Sequence, residues 1–326
     1  MQKQSEVYKK LYHYTTWDGL LGIIQTQSLW ATHYKFLNDY SEIILFRDKL
    51  ISLILPYARE EYENLIKQYP HIEHSINQNG GLAQVVQHNT EVVVDAHYRA
   101  TGDEIYILSF CGQHKNPQVN INGLLSQWRG YGTGGGFALV FNRQKLKELL
   151  KVEAKKFEYR VGHFSDCIYS DDEKELKEKL SDDLAIIAKG IKQLLHYTNS
   201  NKKAKPNISG GFLPFVRCIS RYKHYGFSEE NEVRIVALPT VLDQEMIRLA
   251  SQNGDTLKPE KQRKFRNKND QHIPYIELFS SNDIDLPIEQ IIVGPHKEKE
   301  ARAAALRVML SKTNIEITCS DIPYVG

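Results

Sequence analysis

The sequence predicts an α+β fold, because short apolar runs typical of strands are mixed with amphipathic runs typical of helices. The two kinds of segment do not alternate with the regular period of a doubly wound parallel sheet, and no internal repeat is visible. At 326 residues with 41% hydrophobic residues, the chain can bury a sizeable core. We therefore predict a single domain over residues 1–326.

Strands are predicted where apolar residues run together or alternate with polar ones. The clearest is the apolar run IYILSFC at 105–111, which is typical of a buried strand. The first, LYHYT, alternates apolar and polar positions. The predicted strands are 11–15, 28–36, 105–111, 137–141, 157–161, 233–238, 273–278, 291–293 and 315–319.

Helices are predicted from capping residues and apolar stripes. Thr16 or Asp18 can cap a first helix, and Asp39 or Ser41 a second one. Pro56 should kink or restart that second helix, because proline lacks the N–H that the helix needs. The other predicted helices are 57–69, 82–98, 143–151, 171–195 and 298–310, and residues 124–128 are predicted to form a helical turn.

Three regions are predicted to lie outside the common core. One is a helical insertion at about 40–100, and the others are exposed inserts at about 171–210 and 243–272. Alternating charges and an apolar stripe predict an amphipathic surface helix in the first exposed insert. The stripe consists of Leu176, Leu180, Leu184, Ile187, Ile191 and Leu195.

The overall composition is that of an ordinary globular protein. The net charge is +2, so the whole molecule offers no field for polyanions, although a local basic patch remains open. The four cysteines are widely spaced and predict neither a disulfide framework nor a zinc site. With no apolar leader at the start and no run long enough to cross a bilayer, we expect a cytoplasmic protein without membrane contact.

A first candidate site segment is LYHYTT at 11–16. His13 and Thr15 stand two residues apart on a predicted strand and therefore share one face. Together they could hydrogen-bond the vicinal hydroxyls of a ribose. The alternative is a polar strand end whose histidine is satisfied by backbone groups.

A second candidate segment is LSQWRGYGTGGGF at 125–137. Trp128, Arg129 and Tyr131 lie beside five glycines, so planar and cationic groups stand next to backbone that a ligand can approach. The segment lacks the Gly-Lys-Ser/Thr of a phosphate-binding loop. The alternative is a glycine turn leading into a strand, with Trp128 in the core.

A third candidate segment is EENEVRI at 229–235. Glu232 and Arg234 should share a face at the start of a strand, where the guanidinium would keep the carboxylate ionised and oriented. Such a carboxylate could bind a sugar hydroxyl, act as a general base or stabilise an oxocarbenium ion. A structural salt bridge would give the same sequence.

The run KPEKQRKFRNK at 258–268 is a fourth candidate, for nucleic acid. It has six cations and one acid around Phe265, which could stack on a base while the cations meet phosphates. The binding residues would be Lys261, Arg263, Lys264 and Arg266. A solvated loop is the alternative.

Taken in order, LYHYTT, LWATHYKFLNDYSE, YILSFC, LSQWRGYGTGGGFALVF, ENEVRI, IIVGP and SDIPY resemble the bacterial family called domain of unknown function 2971. The opening segment is also similar, more remotely, to the first motif of ADP-ribosyltransferases of the His-Tyr-Glu type. That resemblance implies a mixed, mostly antiparallel, split β-sheet with flanking helices. Tyr14 departs from the motif, which has a glycine after the histidine.

The second resemblance also implies roles for individual residues. His13, assisted by Thr15, would bind the ribose on the nicotinamide side, and Glu232 would stabilise the oxocarbenium transition state. Tyr34 or Tyr131 would stack on nicotinamide. The remaining residues expected to bind the substrate are Tyr14, Asn38, Ser109, Trp128, Arg129 and Arg234.

The function expected from the resemblance is cleavage of the nicotinamide–ribose bond of NAD, with ADP-ribose passing to a macromolecule such as nucleic acid or protein, or to water. NAD would be a substrate, and no metal would be required. A bacterial toxin or antiphage effector, restrained by a partner protein, would fit this chemistry. Two alternatives stay open: a nuclease acting on RNA or DNA, and a non-catalytic module that senses a nucleotide-like ligand.

Overall fold

A computed structural model describes residues 8–37, 40–101, 104–132, 134–199, 209–268, 270–280 and 284–323. The chain divides into two compact units. The sheet unit comprises Met1–Tyr34, Tyr106–Asp166 and Phe227–Gly326, and the helical unit comprises Lys35–Ile105 and Cys167–Gly226. Our prediction of a single domain remains a prediction, to which the structure adds these two units.

Every described strand belongs to the sheet unit. In chain order the strands are β1 (Lys10–Thr15), β2 (Leu29–His33), β3 (Tyr106–Gly112), β4 (Phe137–Asn142), β5 (Tyr159–Asp166), β6 (Glu232–Pro239), β7 (Lys264–Lys268), β8 (Gln271–Leu278), β9 (Ile288–Val293) and β10 (Glu316–Cys319).

These strands form one sheet in the order β10-β9-β4-β1-β3-β2-β8-β7, and β6 pairs with both β3 and β5. The described pairs are antiparallel except for β9 with β10, which is parallel. The prediction of an α+β fold with a mixed, mostly antiparallel sheet and flanking helices is therefore confirmed.

The helices are named in chain order across both units. They are α1 (Trp17–Thr26), α2 (Tyr40–Gln68), α3 (Ile72–Gln78), α4 (Leu82–Thr101), α5 (Pro117–Asn122), α6 (Leu125–Tyr131), α7 (Arg143–Lys156), α8 (Glu173–Asn199), α9 (Phe212–Arg221), α10 (Gln244–Asn253) and α11 (Lys299–Met309). Thr16 caps α1, as one of the two predicted caps, by accepting a hydrogen bond from the Gly19 amide.

The helical unit contains α2, α3, α4, α8 and α9. The apolar stripe predicted on α8 is buried from Leu176 to Ile191, while Leu195 lies outside the side chains that are described. Pro56 does not restart α2, which runs through it. Fully buried residues on both sides of Pro56, including Leu53, Ile54 and Ala58, hold this helix by packing, which outweighs the lost hydrogen bond.

The exposed insert predicted at about 243–272 is partly regular structure. Residues 244–253 form α10, and β7 pairs with β8 as the last strand in the sheet order. Three 3-10 turns also occur, at Tyr34–Phe36, Ser209–Gly211 and Tyr225–Glu230. Over the described residues, no helix is both long and apolar enough to span a membrane.

Candidate functional site

The strand register assigns the side chains of the sheet unit to two faces. Directly opposed residues of an antiparallel pair point to the same face, and successive residues point to opposite faces. One face, here called the helix face, packs against α1, α7 and α11 and contains Leu11, Phe110 and Val233. The other, here called the opposite face, contains Tyr12, Tyr14 and Cys111, which pack around Trp128.

The sheet is split along one edge of β3. On that edge β1 pairs with Gly112 and Cys111, and β2 pairs with Ile107 and Tyr106. The stretch from Leu108 to Phe110 lies between these pairs and is paired only with β6, on the other edge. We call this gap between β1 and β2 the split.

His13 stands at the split. Its Nδ1 lies 3.2 Å from the carbonyl oxygen of Ser109, so Nδ1 must carry the proton and donate it. The ring also meets Phe110 edge-on, with centroids 5.8 Å apart. Burial, together with the positive charge of Arg266, lowers the pKa of His13, although the Ser109 hydrogen bond opposes this shift. The imidazole is therefore neutral near pH 7, with Nε2 as an acceptor, and no hydrogen bond to Nε2 occurs among the described residues.

Thr15 shares the helix face with His13 and is fitted closely to α1. A Cβ atom added at Gly19 would lie 2.0 Å from the Thr15 hydroxyl oxygen, so the hydroxyl occupies the space that any larger residue would need. Gly22, one turn later, has open space around the same position. Gly19 thus sets the position of the Thr15 hydroxyl.

Glu232 and Arg234 form a buried, bidentate ion pair. The guanidinium donates from Nε to Oε1 at 2.9 Å and from Nη2 to Oε2 at 3.0 Å, and the two side chains are 4% and 2% exposed. Both lie on the opposite face, because Glu232 pairs with Cys111 and Arg234 with Ser109. They share a face, as the sequence pattern predicts.

The structure does not place Glu232 on the face of His13. Tyr12, Cys111 and Glu232 lie in one row across β1, β3 and β6, and His13 follows Tyr12 by one residue. An offset of one residue reverses the face of a side chain. The catalytic roles of His13 and Glu232 stay predictions, and a ligand that touches both must enter the split.

The glycine-rich segment is packed against the core instead of lining a cleft. Trp128 is 1% exposed, and its Nε1 donates to the Asn122 carbonyl at 2.9 Å. Cβ atoms added at Gly132 or Gly294 would lie 2.9 Å from its ring, and Arg302 donates to the Gly134 and Gly135 carbonyls. Trp128 is therefore a core residue, which agrees with the structural alternative.

The other aromatic candidates differ in exposure. Tyr14 is 8% exposed, and its hydroxyl accepts a hydrogen bond from the Leu124 amide at 2.8 Å. Tyr34 is buried beside His33, whereas Tyr131 is 46% exposed at the end of α6 and Arg129, two residues earlier, is also exposed. The stacking role of either tyrosine stays a prediction. Asn38 lies outside the described residues.

Most of the predicted nucleic-acid contacts in the basic run serve the fold. Lys261 is 4% exposed, with Nζ 2.6 Å from Glu153 and 4.0 Å from the Phe157 ring centroid, because the buried carboxylate needs a counter-ion. Arg263 donates to Glu260. Both side chains therefore take part in internal ion pairs, and their nucleic-acid role stays a prediction.

Arg266 differs from the rest of the run because its side chain contacts residues of β2. Its Nη2 donates to the Thr32 hydroxyl at 3.1 Å, and its guanidinium carbon lies 5.4 Å from the Trp30 ring centroid. Trp30 and Thr32 are not among the site residues that we predict from the sequence. Because Trp30 and Thr32 stand two residues apart on the predicted strand 28–36, the sequence already places them on one face of that strand.

The pocket found on the opposite face is small. Tyr12, Tyr14, Cys111, His114 and Asn120 line it with Glu229 and Glu230, and its free space of about 10 Å³ is enough for roughly one water molecule. Among the residues that the structure describes, no group of three or more His, Cys, Asp and Glu side chains is arranged to hold a metal ion.

Comparison with known proteins gives one match. Residues 127–235 match the family model described as Protein of unknown function (DUF2971), which confirms the first resemblance over that stretch, less than half of the 326-residue chain. The matched stretch contains Trp128, Glu232 and Arg234 but not His13. No curated protein and no solved structure matches the chain.

Proposed function

We propose that the protein is an ADP-ribosyltransferase-like enzyme that cleaves the nicotinamide–ribose bond of NAD. The observation that carries this proposal is the state of His13 at the split. Its imidazole is neutral, fixed through Nδ1 to the Ser109 carbonyl, and without a described hydrogen bond at Nε2. A fixed acceptor of this kind suits a ribose hydroxyl, which donates a hydrogen bond.

The reaction moves one electron pair at each step. The bond between C1′ of the ribose and the pyridinium nitrogen breaks, and its electrons neutralise nicotinamide as it leaves. The positive charge passes to an oxocarbenium ion of the ribose. A hydroxyl or amide of a nucleic acid or protein, or water, then adds to C1′ and loses a proton.

A carboxylate such as that of Glu232 has the charge that an oxocarbenium ion requires, and Arg234 orients it through both oxygens. Since Glu232 projects from the opposite face, the ribose has to sit in the split. Only β3 separates β1 from β6, which keeps the two strands close. Thr15, held by the fit to Gly19, assists on the side of His13.

The wider setting proposed for this chemistry is a bacterial toxin or antiphage effector that acts in the cytoplasm. Consumption of NAD or modification of a macromolecule would harm the cell that makes the enzyme. A partner protein that restrains the activity fits this setting.

The test is release of nicotinamide from NAD by the purified protein, with and without oligonucleotides or cell lysate. His13→Asn should lower the rate about 100-fold, the scale of a lost positioning and acid–base group. The matched control is His272→Asn, since His272 is exposed on β8 and bonds only locally to Asn267. NAD that is neither consumed nor bound would contradict the proposal.

A second candidate is a non-catalytic module that binds a nucleotide-like ligand. The buried ion pair of Glu232 with Arg234, away from the face of His13, favours it, because a carboxylate held on both oxygens is poorly placed for turnover. In that case NAD or a related nucleotide binds without release of nicotinamide. Glu232→Gln would then weaken binding of the nucleotide, and neither this variant nor the unaltered protein would release nicotinamide.

A further inference from the structure

One end of the sheet presents an aromatic and cationic surface on the opposite face. Thr32 pairs with Tyr275, which pairs in turn with Lys264, and Trp30 and Arg266 each lie two residues along their strands. All five side chains therefore point to the same side. We call Trp30, Thr32, Lys264, Arg266 and Tyr275 the Trp30 surface.

Arg266 is the charged centre of the Trp30 surface, and it has no counter-ion among the described residues. Its partners among the described residues are the Thr32 hydroxyl and the Trp30 ring. Within the part of the chain that the structure describes, no carboxylate lies within ion-pair distance of Arg266, and its buried Nε has no hydrogen-bond partner. A half-buried guanidinium in this state is costly. An anion that binds there would supply the missing partner.

Trp30 supplies a fixed aromatic plane beside that charge. Its ring lies 4.5 Å from the Tyr275 ring at an interplanar angle of 32°, while 37% of the residue stays exposed. Tyr275 is buried beneath it. The indole is thus held in place and still open to a second planar group.

We propose that the Trp30 surface binds single-stranded nucleic acid, with a base stacked on Trp30 and a phosphate on Arg266. Proteins that bind single strands combine aromatic platforms with cations that follow the backbone. Lys264 and Arg266 stand two residues apart on β7, roughly 6–7 Å along the strand, which is the scale of one nucleotide step.

Trp30, and not Phe265 of the basic run, is the residue on which we expect a base to stack. Phe265 is 66% exposed, but it is one residue from Arg266 and therefore points to the other side of β7. Lys264 already forms an ion pair with Glu277 at 2.7 Å. Arg266 is accordingly the main phosphate contact.

The experiment is fluorescence polarisation of labelled oligonucleotides of about 12 nucleotides, as single-stranded DNA, single-stranded RNA and duplex, with the full chain and no NAD. We expect single strands to bind more tightly than duplex. Trp30→Ala should weaken binding about tenfold, the scale of one stacked base. Arg266→Gln should weaken it similarly and reduce the slope of log affinity against log salt by about one.

Two control variants match these changes. Phe265→Ala removes an exposed aromatic from the same strand but from its other side, and Arg248→Gln removes one exposed cation of α10. Both should bind as the unaltered protein does. Trp30→Phe, which keeps an aromatic ring, should retain most of the affinity, and thermal melting verifies that each variant folds.

Three results would each overturn the proposal: no binding of any single strand, equal binding of duplex, or an equal loss in Phe265→Ala. Single-stranded DNA and RNA are compared because tighter binding of one identifies the nucleic acid that the surface prefers. Equal affinity would show that the features common to both, the bases and the phosphates, are recognised. Since NAD is absent, this outcome is independent of the proposed transferase activity.

Discussion

The glycine-rich segment and the split look equally suited to a ligand in the sequence, but they differ in the structure. In the glycine-rich segment Trp128 Nε1 donates to the Asn122 carbonyl and Arg302 donates to two glycine carbonyls, although the buried Ser126 hydroxyl has no hydrogen-bond partner among the described residues. At the split, by contrast, Nε2 of the half-buried His13 lacks a hydrogen bond among the described residues.

The difference teaches that residue type alone does not separate a site from a packed core, because the indole and the glycine carbonyls of the glycine-rich segment are taken up by internal contacts. Trp, Arg, Tyr and Gly occur in both regions. Buried polar groups are normally satisfied, so the exceptions need a physical explanation. A ligand is the explanation that we propose for the split.

Changes in the glycine-rich segment should have the largest effect, on stability. Trp128→Ala should cost about 4 kcal/mol of unfolding free energy. Gly136→Ala should also be severe, because its Cβ would lie 2.5 Å from backbone atoms of Gly132 and Thr15. The measurement is urea unfolding followed by circular dichroism.

Gly130→Ala is the matched control in the same segment. Gly130 lies in α6 with open space around its missing Cβ, so alanine should be neutral or stabilising by up to about 1 kcal/mol. An equal loss of stability in Gly130→Ala and Gly136→Ala would show that close packing of this segment is not what distinguishes it from the split.

A second histidine, His97 on α4 of the helical unit, sharpens the comparison. Its Nε2 is also unpartnered, but the ring is 3% exposed and packs beside Phe212 and Phe215. Burial lowers its pKa from the ordinary 6.5 to about 4. Here an unmet hydrogen bond accompanies complete burial, so we expect an effect on stability and none on ligand binding.

The direction of the pH dependence of stability follows from the uptake of a proton by His97 on unfolding. Between pH 6.5 and about 4 the unfolded chain binds a proton at His97 and the folded chain does not. The free energy of unfolding therefore falls as the pH falls through this window. The full loss is about 3 kcal/mol. In His97→Gln this part of the pH dependence should disappear from unfolding free energies measured at pH 7 and pH 4. An unchanged pH dependence would contradict the assignment.

The smallest expected effect is at Gly19. In Gly19→Ala the new methyl group displaces the Thr15 hydroxyl, and we expect NAD to bind a few-fold more weakly with stability changed by less than about 1 kcal/mol. Gly22→Ala, in the same helix with open space at that position, is the control. Equal NAD affinity in both variants, measured by calorimetry, would remove Thr15 from the site.

The sequence was sufficient for features that depend on local pattern. The strand around Ile107, the stripe of α8 and the shared face of Glu232 and Arg234 follow from periods of 2 and 3.6 residues. The faces of His13 and Glu232 relative to each other depend on the pairing of distant strands, which no local pattern contains.

The same limit applies to the basic run. Lys261 and Arg266 are similar in sequence, yet one meets the buried carboxylate of Glu153 and the other has no acidic partner described. Their difference comes from which neighbouring elements carry an acid. Such neighbours are known only once α7 and β8 are placed beside the run.

The most direct test of the account is nuclear magnetic resonance of the His13 ring nitrogens during titration with NAD, with the signals assigned by their absence in His13→Gln. We predict a neutral ring with the proton on Nδ1 near pH 7, and a change at Nε2 when a ribose hydroxyl donates to it. Signals of His13 that stay unchanged at saturating NAD, or a proton on Nε2 in the free protein, would contradict the split as the site.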